Sequence, residues 1–132
     1  MKKLIILLTL IFICAFQISA QSKINDWPEL KVFHGVISQT FHPSEEGNLI
    51  PLKERSAELK EKAKTLSDSK IPVDFDNEKV KKALKNLEKE TKELHKMVSQ
   101  KKSDKELTAK LAEVHDTFHE IIGLCNQDSE HK

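Results

Sequence analysis

The sequence predicts an all-α protein, an antiparallel four-helix bundle carried behind an N-terminal signal peptide. Two observations lead there. Apolar residues recur at three- and four-residue spacing in four separate segments, each able to bury one face of a helix. The polar residues are mostly Lys and Glu, with only three Gly and 5% aromatics in 132 residues. That balance suits solvated helical faces and leaves little material for strands.

The first element is the signal. Lys2 and Lys3 form a cationic start, Leu4 to Phe16 is almost unbroken apolar sequence that includes Cys14, and Ile18-Ser19-Ala20 precedes Gln21 with a small residue last. This is the plan of a secretory signal peptide over residues 1–20. The run is shorter than the ~20 residues a membrane-spanning helix needs, and it ends in Gln17, Ser19 and Gln21. The expectation is a periplasmic or secreted protein with no membrane attachment after cleavage.

The bundle is expected over residues 21–125. Trp27, Leu30, Phe33, Ile37 and Phe41 share a face of the first helix, with Asp26 as N-cap and Pro28 in the first turn. Pro43 is expected to end that helix, making His42 to Asn48 a connection. Leu52, Leu59, Ala63 and Leu66 align along a second helix, from about Asn48–Pro51 to about Ser67. An ordered crossing loop, Ser69 to Asp76, follows. The third helix starts near Asp76-Asn77 and turns Val80, Ala83, Leu84, Leu87, Leu94, Met97 and Val98 inward. Ser103-Asp104-Lys105-Glu106 matches a capping box and opens the fourth helix, whose stripe is Leu107, Leu111, Val114, Phe118, Ile121, Ile122 and Cys125. Residues 126–132 form a polar tail. Short loops make sequential helices antiparallel and set the first beside the fourth.

Charge narrows the function classes. The chain has 22 Lys plus Arg against 21 Asp plus Glu, and loss of residues 1–20 with their two lysines leaves 20 against 21 in 112 residues. Without a surplus of cations to neutralise phosphates, nucleic acid is not an expected partner. The scarcity of Gly argues against a phosphate-cradling loop. Cys125 is the one cysteine beyond the signal. No intramolecular disulfide can form, so the fold must rest on its core, with Cys125 a buried small hydrophobe, an intermolecular disulfide or a metal thiolate.

Histidine is the unusual entry, at six residues. His115 and His119 are four apart on the fourth helix, one above the other, a spacing that lets two imidazoles take one ion. At about 100° per residue the pair sits on the flank of its stripe, and His34 is offset in the same sense on the first helix. A rise of ~1.5 Å per residue puts His34 at the level of the pair, with His42 about one turn or so above, beside Glu45 and Glu46. His34, His115 and His119, with His42 and Glu46 as further candidates, form a set suited to Zn(II), Cu(II) or Ni(II). Whether the two flanks face each other depends on the hand of the bundle. His95 reads as a boundary residue and His131 as part of the tail.

No catalytic arrangement emerges. His115-Asp116-Thr117-Phe118-His119 approximates the zinc-protease helix, but with Asp where the longer Glu is needed to reach a metal-bound water. No nucleophile signature is present, and the expectation is a binding protein rather than an enzyme. The His42-to-Glu46 spacing is that of di-iron bundles, but a helix broken at Pro43 would not align the two.

The architecture resembles the soluble periplasmic b-type cytochromes, with His119 placed near the C-terminus like the haem-ligating histidine of that family. That resemblance implies a haem held by His119, with His34 standing where the family has a methionine on its first helix. The segments Trp27-Pro28-Glu29-Leu30, Phe41-His42-Pro43 and His115-Asp116-Thr117-Phe118-His119 are similar to those of small secreted four-helix-bundle proteins of Bacteroidetes-type bacteria. This second resemblance implies secretion and the bundle, and no particular ligand. Three functions are therefore carried forward: a metal-binding bundle for sequestration, delivery or sensing; a haem bundle; and a ligand-free module meeting a protein partner or forming a homodimer.

Overall fold

The computed structural model describes residues 25–127. It contains helices α1 (Pro28–Glu45), α2 (Ile50–Asp68), α3 (Glu78–Ser99) and α4 (Asp104–Gln127), with a one-turn 3-10 segment, Val73–Phe75, between α2 and α3. Among the described residues there is no strand, and no helix is long and apolar enough to cross a membrane. The expected signal peptide, the end of the polar tail and His131 lie outside the described residues.

The four helices pack as a bundle, each most extensively on its neighbour in sequence, while α1 and α4 close the ring along a much slighter seam. The stripes read from the sequence are the core. Leu30, Phe33 and Ile37 of α1, Leu52, Leu59, Ala63 and Leu66 of α2, Val80, Leu84, Leu87 and Leu94 of α3, and Leu107, Leu111, Val114, Phe118 and Ile121 of α4 are all buried. Each such Val, Leu, Ile or Phe side chain contributes about 1.5–3 kcal/mol over its exposed state, and these contacts hold the helices in register. Met97 and Val98, expected inward, pack on the core only partly buried, because α3 ends there.

Three ends show how local sequence sets the boundaries. Asn77 caps α3, its Oδ1 accepting from Val80 N at 3.0 Å. At the start of α4 the capping box forms as expected, with Ser103 N donating to Glu106 Oε2 at 3.0 Å and Glu106 N to Ser103 Oγ at 3.3 Å. At the foot of α1 the N-cap is Trp27, with no side-chain cap, and Asp26 lies exposed one residue outside it. Burial of the indole fixes this end instead. Trp27 is 1% exposed, lies against Phe75 of the 3-10 turn, and donates from Nε1 to Ser69 Oγ at 2.9 Å.

Pro43 does not end α1, which runs on to Glu45. A proline lacks one N–H, and in the last turn of a helix that loss is small because little helix remains to be broken. The true stop is four residues later. Gly47 adopts φ +81°, and Gly47 N and Asn48 N donate to Ser44 O and Pro43 O at 3.0 Å each, the paired bonds of a Schellman cap. His42 is therefore a helical residue.

Candidate metal site

The site lies on the α1–α4 seam and is built from alternating phenylalanine and histidine rings. On α4, His115 and His119 fall on the flank beside the buried stripe, because Val114, Phe118 and Ile121 take the core positions. On α1, Phe33 and Ile37 face inward while His34 and Phe41 occupy the same side of the helix one step outward. The two flanks face each other: the His34 ring lies parallel to Phe118 with centroids 5.5 Å apart, and the Phe41 ring lies over His115 at 3.7 Å and 8°. Residue number rises along α1 as it falls along α4 in these pairs, so the helices are antiparallel.

His115 and His119 meet as their spacing predicts. Their Nε2 atoms are 3.1 Å apart, with the rings inclined at 66°. One Nε2–H donates to the lone pair of the other, which requires both rings to be neutral or to share a single added proton. Burial, and after it the neighbouring His119 charge, holds the His115 imidazolium below its ordinary range; Asp116 opposes, the His42 charge lowers it further, and Glu45 raises it. His115 is thus poised as a neutral nitrogen donor at neutral pH.

The remaining candidates divide. His34 is on the same seam, exposed and stacked on Phe118, and Phe118 in turn meets His119 at 5.9 Å. Among the described residues no three His, Cys, Asp or Glu side chains are gathered closely enough to hold an ion as they stand. The predicted three-histidine convergence is therefore present as a shared seam, with two donors brought together. His42 lies at the upper end of that seam, its ring 5.8 Å from Phe41. Glu46, the carboxylate expected beside it, is the exposed C-cap residue of α1. The carboxylate that meets His42 is Glu45, whose Oε2 accepts from Nδ1 at 3.0 Å. The sequence also places Glu45 beside His42, but in a connection around Pro43; here it is a helical i, i+3 neighbour.

The other features fall away from the site. His95 is half-buried with Nδ1 3.0 Å from Ser56 Oγ of α2, a boundary residue as expected. Cys125 is buried on its stripe. Asp116 is 85% exposed, with Oδ1 3.9 Å from His115 Nδ1. A haem held by His34 and His119 would need space now filled by Phe118 and by Phe33, whose rings are 5.4 Å apart, so these residues do not fit that group without displacing a core side chain. Comparison with known proteins finds no matching family model, no matching curated protein and no matching solved structure.

Proposed function

We propose that this protein is a non-catalytic binder of a divalent transition-metal ion, Zn(II), Cu(II) or Ni(II), acting outside the cytoplasm in sequestration, delivery or sensing. The observation that carries the reading is the 3.1 Å separation of His115 Nε2 and His119 Nε2. Zinc–imidazole bonds of about 2.0–2.1 Å make two nitrogens at that separation subtend about 100° at one ion, between the octahedral and tetrahedral angles. The bite needs no movement of the helix. His115 is half-buried and His119 exposed, which gives an ion a way in from solvent.

Titration of the purified, chelator-treated protein with each metal tests the proposal. One ion per chain is expected, with affinity falling about 100-fold or more in a His115→Ala/His119→Ala variant, because two of the donors are lost. Equal affinity in the variant, or no binding by the parent, would leave the ligand-free interaction module as the better reading.

A further inference from the structure

We infer that the groove between α2 and α3 is a docking surface for an extended acidic polysaccharide, whose carboxylate or sulfate groups are held by lysines on both rims. The groove lies across the bundle from the α1–α4 seam and stands whether or not that seam takes a metal.

Helical spacing builds one rim. Lys85, Lys89, Lys92 and Lys96 recur at intervals of four, three and four residues, so at about 100° per residue they fall within about 60° of one another and run about 16 Å along α3. All four are exposed. Lys60 and Lys64 of α2 supply the other rim. Lys60 and Lys92 line two adjoining hollows, the first with Lys64, Ala57, Glu61 and Glu88, the second with Lys89, Lys96, Glu93 and His95. Ala57 keeps the first hollow open, having no long side chain to lay across it.

Most of these cations are uncompensated. Among the described residues Lys60, Lys85, Lys92 and Lys96 form no ion pair, and Lys89 reaches Glu93 only at 4.0 Å, while the other oxygen of that carboxylate is held by Lys110 at 2.8 Å. Lys64 is the exception, 2.6 Å from Asp68. Of the two remaining carboxylates on the groove, Glu61 lies 3.3 Å from Lys62 and Glu88 forms no ion pair among the described residues. A chain with 22 basic against 21 acidic residues thus keeps a positive face, its acidic counterpart being α4, where Glu106, Glu113, Asp116 and Glu120 are exposed. Such a separation draws an anionic ligand to one side without any surplus of net charge.

The chemistry of the lining selects the kind of polyanion. No Phe, Trp or Tyr occurs on α2 or α3, so bases of a single-stranded nucleic acid would find no stacking platform. The large apolar side chains exposed among the described residues, Val32, Ile50 and Val73, do not line these hollows, so neither a bilayer nor the apolar anchor of a peptide would be buried here. The cations are lysines throughout, with no arginine on α3. Compact ammonium groups on flexible stems hold carboxylate or sulfate by charge without demanding a fixed two-pronged geometry. A sugar chain carries such groups among hydroxyls, and Glu61 and Glu88 can accept hydrogen bonds from those hydroxyls. Docking there tethers the chain to an acidic matrix and leaves the α1–α4 seam free on the far side.

Titration of the full chain with polygalacturonate and with dextran sulfate, beside neutral dextran, tests the assignment. Either acidic polymer should bind at low salt and be released by added salt, and the neutral one should not bind. Lys60→Gln/Lys92→Gln/Lys96→Gln should lose about tenfold or more in affinity, whereas Lys31→Gln/Lys102→Gln/Lys105→Gln, which removes the same charge from exposed sites elsewhere, should lose less than about twofold. Unchanged helical circular dichroism in both variants shows that the fold is kept. Backbone amide shifts on adding a short polygalacturonate fragment to the parent should fall on α2 and α3. Failure of both acidic polymers to bind, equal losses in the two variants, or shifts centred on another face overturns the inference. Tighter binding of oligothymidylate, of polyglutamate or of phosphatidylglycerol vesicles than of either polysaccharide overturns it equally.

Discussion

The two sides of α4 are built differently. Toward α3 the contact is extensive and its rim is laced by charge: Lys110 Nζ lies 2.8 Å from both Glu93 of α3 and Glu113 of α4, with only 16% of its side chain exposed. The charges complement across the pair, α3 carrying seven Lys to four Glu and α4 five acidic residues to two Lys. Toward α1 the contact is slight and made largely of rings, with imidazoles where the other side has leucine and lysine. The difference teaches a division of labour. Three extensive seams hold the bundle, which leaves the fourth free to carry half-exposed titratable side chains that contribute little to packing.

The largest expected effect tests that division directly. Leu87→Ala, at a fully buried α3 position, should cost about 2–5 kcal/mol in urea denaturation. Phe41→Ala, at a half-buried position on the α1–α4 seam, should cost about half of that or less, while disturbing the ring that covers His115. Equal losses would break the comparison, because they would make the aromatic seam as much a part of the stabilising core as the leucine layers.

A smaller effect sharpens it through pH. Burial lowers the His115 pKa from 6.5 in the folded chain, so the unfolded chain takes up the proton first. Stability of the metal-free protein is then complete above the ordinary imidazole value and falls as pH drops below 6.5 toward the lower folded value. Thermal melts across that window in a chelating buffer should show the slope, and His115→Gln should flatten it. A slope unchanged in His115→Gln would mean that the seam does not discriminate against the imidazolium.

Most of the fold was legible because it depends on periodicity. The four stripes, the capping box at Ser103 and the Asn77 region follow from apolar spacing and from side chains that serve their own local backbone. Two ends were not legible. Trp27 replaces Asp26 as the cap because tertiary burial of the indole against Phe75 and Ser69 decides that end, and nothing in residues 26–28 encodes those distant partners. Pro43 reads as a stop because its cost in mid-helix is large, whereas its actual setting one turn from a Gly47 Schellman cap makes the cost small. At the site, the His115–His119 contact is legible from spacing alone and the level of His34 from rise, while the facing of the two flanks depends on the hand of the bundle, which periodicity does not encode. The stacking of His34 on Phe118 is not legible, since it depends on which of two neighbouring rings turns into the gap, and neither is the helical contact of His42 with Glu45, since Pro43 makes that stretch read as a connection.

The smallest effect lies on the stabilising side of α4, where the charge lacing has one discordant member. Glu90 of α3 is half-buried, its Oε2 has no hydrogen-bond partner among the described residues, and burial raises its carboxyl above the usual range against the opposing effects of Thr117 and Lys110. A raised folded value means the charged form is the one the fold disfavours, so the penalty is present at neutral pH and disappears as the carboxyl protonates. Glu90→Gln keeps the shape and removes the charge. It should raise Tm at pH 7 by about 1–3 °C, with the gain shrinking to nothing below about pH 4, where the parent side chain is itself neutral. A lower Tm at pH 7 would show instead that the attraction of Lys110 outweighs the burial of the carboxylate, and that the α3–α4 seam depends on this charge as it does on Glu93.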